Sequence, residues 1–137
     1  MNKHILVLFE GWSVADEAMR YAHALAQRMR GKLSLLLLLS SHDQLSDAEL
    51  LEARGEELLR EQVEGVDDHT VEIERFVRIG DPWSEFCKFV ATAGRFHMVV
   101  WASEAGLTNG RPVASHWASR IHGELGCPVV TAHRRSR

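Results

Sequence analysis

The chain is short of several things, and each shortage closes off a class of protein. Its two cysteines, Cys87 and Cys127, stand far apart with no metal-ligand spacing, so neither a disulfide framework nor a zinc site is suggested. Lysine is confined to Lys3, Lys32 and Lys88, and the formal charge is -3, which gives no basic footprint for nucleic acid. The Arg134 to Arg137 tail reads as a solvated terminus. No apolar run approaches the ~18 residues of a membrane span, and the run before Glu10 is too short for a signal peptide. A cytoplasmic protein is expected. There is no Gly-x-x-x-x-Gly-Lys loop, no Gly-x-Ser-x-Gly elbow and no Cys-x-x-Cys, so a non-enzyme is the preferred reading and a slow ATPase the open alternative. Phosphoryl transfer would also need cations, and no lysine marks the region described below.

What is present is a globular composition, 45% hydrophobic and 26% charged over 137 residues, enough for one domain spanning residues 1–137. Ile5 to Phe9 is a buried-strand pattern, followed by helical spacing through Val14, Ala18, Ala22, Leu25 and Met29. Ser13 is the expected N-cap, with Asp16 three residues on, and Gly31 the expected left-handed C-terminal cap. Leu33 to Leu39 is short and follows a helix stop, so it reads as a strand buried on both faces. A second helix opens with Ser46 and Glu49 as a capping box and Leu45 and Leu50 as a staple. It is expected to end near Glu64, with Gly65 as its stop and Gly55 as an internal weak point.

Thr70 to Ile79 alternates with β-branched residues, a third strand. Asp81 and Pro82 are N-cap and N1 of a third helix striped by Trp83, Phe86, Cys87, Val90 and Ala91, and Gly94 ends it. A fourth strand over His97 to Ala102, a helix from about Ser115 to Glu124 and a last strand from Val129 to Ala132 complete the order. This βαβαβαβαβ alternation with short connections predicts an α/β, Rossmann-like or flavodoxin-like parallel sheet with helices on both faces. In such sheets ligands sit outside the carboxyl ends of the strands, which directs attention to Trp101 through Trp117.

The segments KHILVLFEGWSVADEAMRYAHALA, VRIGDPWSEFCKFVATAGRFHMVVWAS and SRIHGELGCPVVTAHR, in that order, resemble the universal stress protein family over essentially the whole chain. The resemblance implies a five-stranded sheet of order 3-2-1-4-5, a homodimer, and ATP or AMP as the cofactor many members bind where the strand order reverses. The ATP-binding branch carries Gly-x-x-Gly, nine residues, then Gly-Ser or Gly-Thr, with an acid at the end of the first strand. Here those positions are Ala102, Ala105, Ser115 and His116, with Glu10 as the acid. Side chains replace all three glycines, so close backbone approach to phosphate is hindered and weak or absent nucleotide binding is expected. Gly106 and Gly110 offer a shifted turn, and Arg111, held extended by Pro112, is a phosphate contact or a solvated loop residue.

Trp12, Trp83, Trp101 and Trp117 all fall at carboxyl-end turns or first helical turns, and are expected either to line a pocket for a planar ligand or, the preferred reading, to close the cleft. Trp117 stands where the resembled family has a small aliphatic residue. Glu10 is a ribose or metal contact on one reading and a solvated turn residue on the other; Asp81 is a cap. His42 and His116, with Asp43, lack metal-site spacing, so no metal is expected. Val129, Val130, Thr131 and Ala132 are the expected dimer edge. The leading functional reading is a stress-response regulatory module with a protein partner of unknown identity. A nucleotide-binding slow ATPase and an unrelated flavin enzyme on the same sheet are the alternatives.

Overall fold

The structure is a computed structural model that describes residues 3–40, 48–66, 70–103, 107–108, 111–112 and 117–131. The main elements are β1 (His4–Glu10), α1 (Asp16–Met29), β2 (Lys32–Leu39), α2 (Ala48–Val66), β3 (Glu72–Ile79), α3 (Pro82–Ala93) and β4 (Met98–Trp101). Two-residue strands β5 (Leu107–Thr108) and β6 (Arg111–Pro112) follow, then a 3₁₀ turn (Trp117–Arg120), α4 (Ile121–Leu125) and β7 (Val129–Thr131). The five longer strands form one sheet in the order β3-β2-β1-β4-β7, with every pairing parallel. With the small β5–β6 pair set aside, this is the predicted order 3-2-1-4-5.

Side-chain alternation divides the core. Ile5, Val7, Phe9, Leu33, Leu35 and Leu37 pack with Met19, Ala22 and Leu59 of α1 and α2, while Leu6, Leu8, Leu36 and Leu38 pack with Phe86, Phe89, Ala118 and Ile121 on the opposite face. Burial on both sides explains why a leucine-rich run with good helix propensity is a strand. Each fully buried leucine contributes about 1.5–3 kcal/mol, which outweighs a propensity difference of a few tenths.

Several helix ends differ from the expectations. Ser13 does not cap α1: the helix starts at Asp16 after an extended Ala15 that has no side-chain cap. The reason is that the preceding residues are committed to the sheet edge, with the Gly11 N–H on the Leu38 carbonyl (2.9 Å) and the Ala15 N–H on the Ala102 carbonyl (2.7 Å). At the other end Arg30, not Gly31, is the left-handed residue, at φ 54°. Gly31 serves close approach instead, since a Cβ there would meet the Lys3 carbonyl oxygen. Gly65 does not stop α2, which continues to Val66, and Gly55 faces the sheet, where an added Cβ would press on Leu37, Leu39 and Val77. Asp81 does cap α3, accepting the Ser84 N–H at 3.0 Å, with Pro82 in the first turn and Gly94 (φ 91°) as the C-cap. The helix expected from Ser115 is, over its described part, a 3₁₀ turn continuing into α4. The Ser46 capping box and Leu45 staple, and Ala132 of the last strand, lie outside the described residues.

Candidate functional site

β1 has β2 on one side and β4 on the other, so strand order reverses between β1 and β4, and the carboxyl ends of these two strands are the place where open sheets of this kind hold ligands in a crevice. The residues there are Glu10 from β1, Trp101 from β4, and Ala102 and Ser103 just beyond it. Ala102 is fully buried; its N–H donates to the Leu8 carbonyl at 2.7 Å and its carbonyl accepts from Ala15 at 2.7 Å. Both backbone groups are thus engaged by the sheet and the approach to α1. Ser103, also fully buried, accepts the Glu10 N–H at 2.7 Å, and its hydroxyl lies 2.8 Å from the Ser13 carbonyl and 3.1 Å from that of Glu10. With one proton to donate, the hydroxyl ties the turn after β1 to the end of β4.

Trp117, at the start of the 3₁₀ turn, reaches across this edge. Its indole N–H is 3.2 and 3.3 Å from the two carboxylate oxygens of Glu10, a pair separated by 107 residues in the chain. The ring packs against Trp101 (centroids 5.2 Å, edge to face), Phe86 (5.6 Å) and Trp83 (6.0 Å). Trp83 is stacked on Phe86 at 5.7 Å, and the Arg120 guanidinium sits 5.7 Å from the Trp83 ring centre. Aromatic pairs in such geometries add about 0.5–1.5 kcal/mol each beyond area burial. Three of the four tryptophans therefore gather into one cluster with Phe86. Trp12 is 41% exposed, on the turn beside Glu10.

Among the sequence-predicted site residues, the structure brings Glu10, Trp101, Trp117 and Ala102 to one edge of the sheet. Arg111 is extended in β6, as its proline neighbour predicts; its side chain, with Ala105, Ser115 and His116, lies outside what the structure describes. Ser103 escaped the sequence reading, although a serine directly after a buried strand is the kind of residue that must find partners. The β5–β6 pairing was also missed; Thr108 and Arg111 pair across Asn109-Gly110, a strong short-range hairpin signal. Val129, Val130 and Thr131 lie on β7 at the sheet's edge, paired with β4 on one side.

Burial pushes both thiols up from their usual range, with the charge of Glu124 adding to the effect at Cys87. Both are thus held away from the reactive thiolate. No group of three or more His, Cys, Asp or Glu that could hold a metal occurs among the described residues. None of the described helices is long and apolar enough to cross a membrane.

The universal stress protein family model matches residues 1–133. No match is found among curated proteins. Among solved structures, hypothetical protein MJ0577 is similar with a TM-score of 0.71 at 16% identity, covering 100% of this chain and 99% of that one. Universal stress protein UspA from Lactobacillus plantarum gives 0.65 at 17%, covering 95% and 98%. The universal stress protein family protein At3g01520 from Arabidopsis thaliana, solved with AMP bound, gives 0.61 at 18%, covering 98% and 93%.

Proposed function

The chain belongs to the universal stress protein family, and from that premise we propose that it is a cytoplasmic stress-response regulatory module, acting as a homodimer on a protein partner, whose ligand cleft is filled by its own side chains. The observation that carries this reading is the Trp117 indole on both oxygens of Glu10, at the family position of the acid in the ATP-binding branch. A nucleotide entering there would have to displace that bond, about 1.5–3 kcal/mol for a charged acceptor, together with the aromatic pairs. The total, about 3–7 kcal/mol, weakens binding by roughly two to five decades. The commitment of the Ala102 N–H to the Leu8 carbonyl supports the same conclusion, because it leaves that donor unavailable to a phosphate.

The test is absorbance of the purified protein at 260 nm, then calorimetric titration with ATP and AMP. Absence of co-purifying nucleotide and no micromolar binding are expected; micromolar affinity would establish the second reading, a nucleotide-binding member with slow ATPase activity. That reading draws its support from the relative with AMP bound and from the strand reversal at the crevice. For the dimer, β7 is the proposed edge. Light scattering should give the mass of two chains, and Val130→Lys should reduce it to one; a single-chain mass for the unaltered protein refutes the proposal.

A further inference from the structure

A second feature lies away from the crevice, on the α3 face of the edge strand β3. There a hollow of about 330 Å³ is lined in part by Lys32, Glu74, Phe76, Arg78, Phe89 and Thr92. Its two aromatic rings, Phe76 and Phe89, meet edge to face at 5.0 Å. The Arg78 guanidinium lies 5.6 Å from one ring centre and 5.8 Å from the other. It spends one N–H on the Val77 carbonyl at 3.0 Å, and among the described residues no carboxylate lies within ion-pair distance of it. Lys32 is different. Its ammonium is held by Glu74 at 2.8 Å, with Glu72 at 3.8 Å. The hollow therefore has a closed ion pair in one part of its wall and an open, half-buried guanidinium in another.

An arginine stem often does no more than cover apolar surface. Arg78 goes further than that, because its guanidinium sits beside two rings while most of its donors are left unused, and a fork of this kind suits the two oxygens of a carboxylate. The size of the hollow sets the scale of the ligand: 330 Å³ is at the small end of the roughly 300–1,000 Å³ range of small-molecule sites. Glu74 in the wall disfavours a second negative charge. We propose that this hollow is a binding site for a small aromatic monocarboxylate, its ring lying on the partly exposed Phe76 and its carboxylate on the Arg78 guanidinium. The site is independent of the crevice at the carboxyl ends of β1 and β4.

The test is a nuclear magnetic resonance titration of ¹⁵N-labelled protein with phenylacetate, and with benzyl alcohol as the uncharged control. Saturable shifts are expected at the amides of Phe76, Arg78, Phe89 and Thr92 with phenylacetate only. Arg78→Met, which keeps the apolar cover, should weaken binding by about tenfold or more, while Glu74→Gln should tighten it. If Arg78→Met does not fold, Arg78→Lys, which retains charge without the fork, should still show weakened binding. The proposal is overturned by equal responses to the two probes, by shifts confined to the Trp117 cluster, by undiminished affinity in the arginine variant that folds, or by no saturable shift at all.

Discussion

Replacing Trp117 by valine separates the two consequences of a filled cleft. The change removes the indole N–H bond to Glu10 and three aromatic contacts, with Trp101, Phe86 and Trp83. Truncating a fully buried tryptophan to alanine costs about 3–5 kcal/mol; Trp117 is only half-buried and valine keeps part of its bulk, so about 2 kcal/mol is expected. A urea titration followed by far-ultraviolet circular dichroism would read this as a lower midpoint at unchanged slope. ATP affinity should move the other way. With the indole gone, Trp117→Val should bind ATP at least about tenfold more tightly than the parent, and adding Ala102→Gly and Ala105→Gly should tighten it again. Trp117→Phe keeps a ring but loses the donor to Glu10, so it should fall between. Calorimetry is the assay. A folded Trp117→Val protein with no gain in ATP affinity would refute the argument that the side chain is what closes the crevice.

Other perturbations probe the scaffold. Ser103→Ala leaves the part-buried Glu10 N–H without its acceptor and should cost about 1–2 kcal/mol in urea unfolding, with faster hydrogen exchange at the Glu10 amide. Gly31→Ala forces a Cβ onto the Lys3 carbonyl oxygen and should destabilise by about 2 kcal/mol or more, whereas Gly65→Ala, with nothing within 4 Å of its added Cβ, should not. His4 has its pKa lowered by burial and by Lys32, with His97 adding and Glu74 and Glu72 opposing. Because the folded value lies below the unfolded value of about 6.5, the contribution of His4 to stability is complete above that pH and is lost as pH falls through the folded value. His4→Gln should flatten this limb of the stability profile measured by urea titrations at stepped pH; an unchanged slope would contradict the assignment.

The sheet was legible because its signals are redundant. Leu33 to Leu39 could be assigned as a strand from its length and flanks, and β1 to β4 recur at helix-separated intervals that admit one handed winding. Asp81-Pro82 was legible as a cap because the sequence itself carries both halves of the local structure. Ser13 and Gly31 misled because their neighbours in space, Ala102 and Ser103 in one case and Lys3 in the other, are far away in the chain and compete with local capping. At the carboxyl edge, the meeting of Trp83, Trp101 and Trp117 could be expected from their places at strand ends and helix starts, whereas Trp12 stays exposed. That Trp117 would settle on Glu10 could not, since a hydrogen bond spanning 107 residues has no periodicity to betray it.

That span also sets an order of assembly. The Glu10 turn can form with the first strands, whereas its indole partner arrives after four-fifths of the chain, and β4, which holds the other side of the crevice, pairs with β1 across more than ninety residues. Parallel pairings at such separation form late, because loop-closure entropy must be overcome before they contribute. On the ribosome, the emerging amino-terminal half would therefore present the Glu10 turn to its surroundings, open to chaperones, until Trp117 is synthesised and its indole reaches that carboxylate.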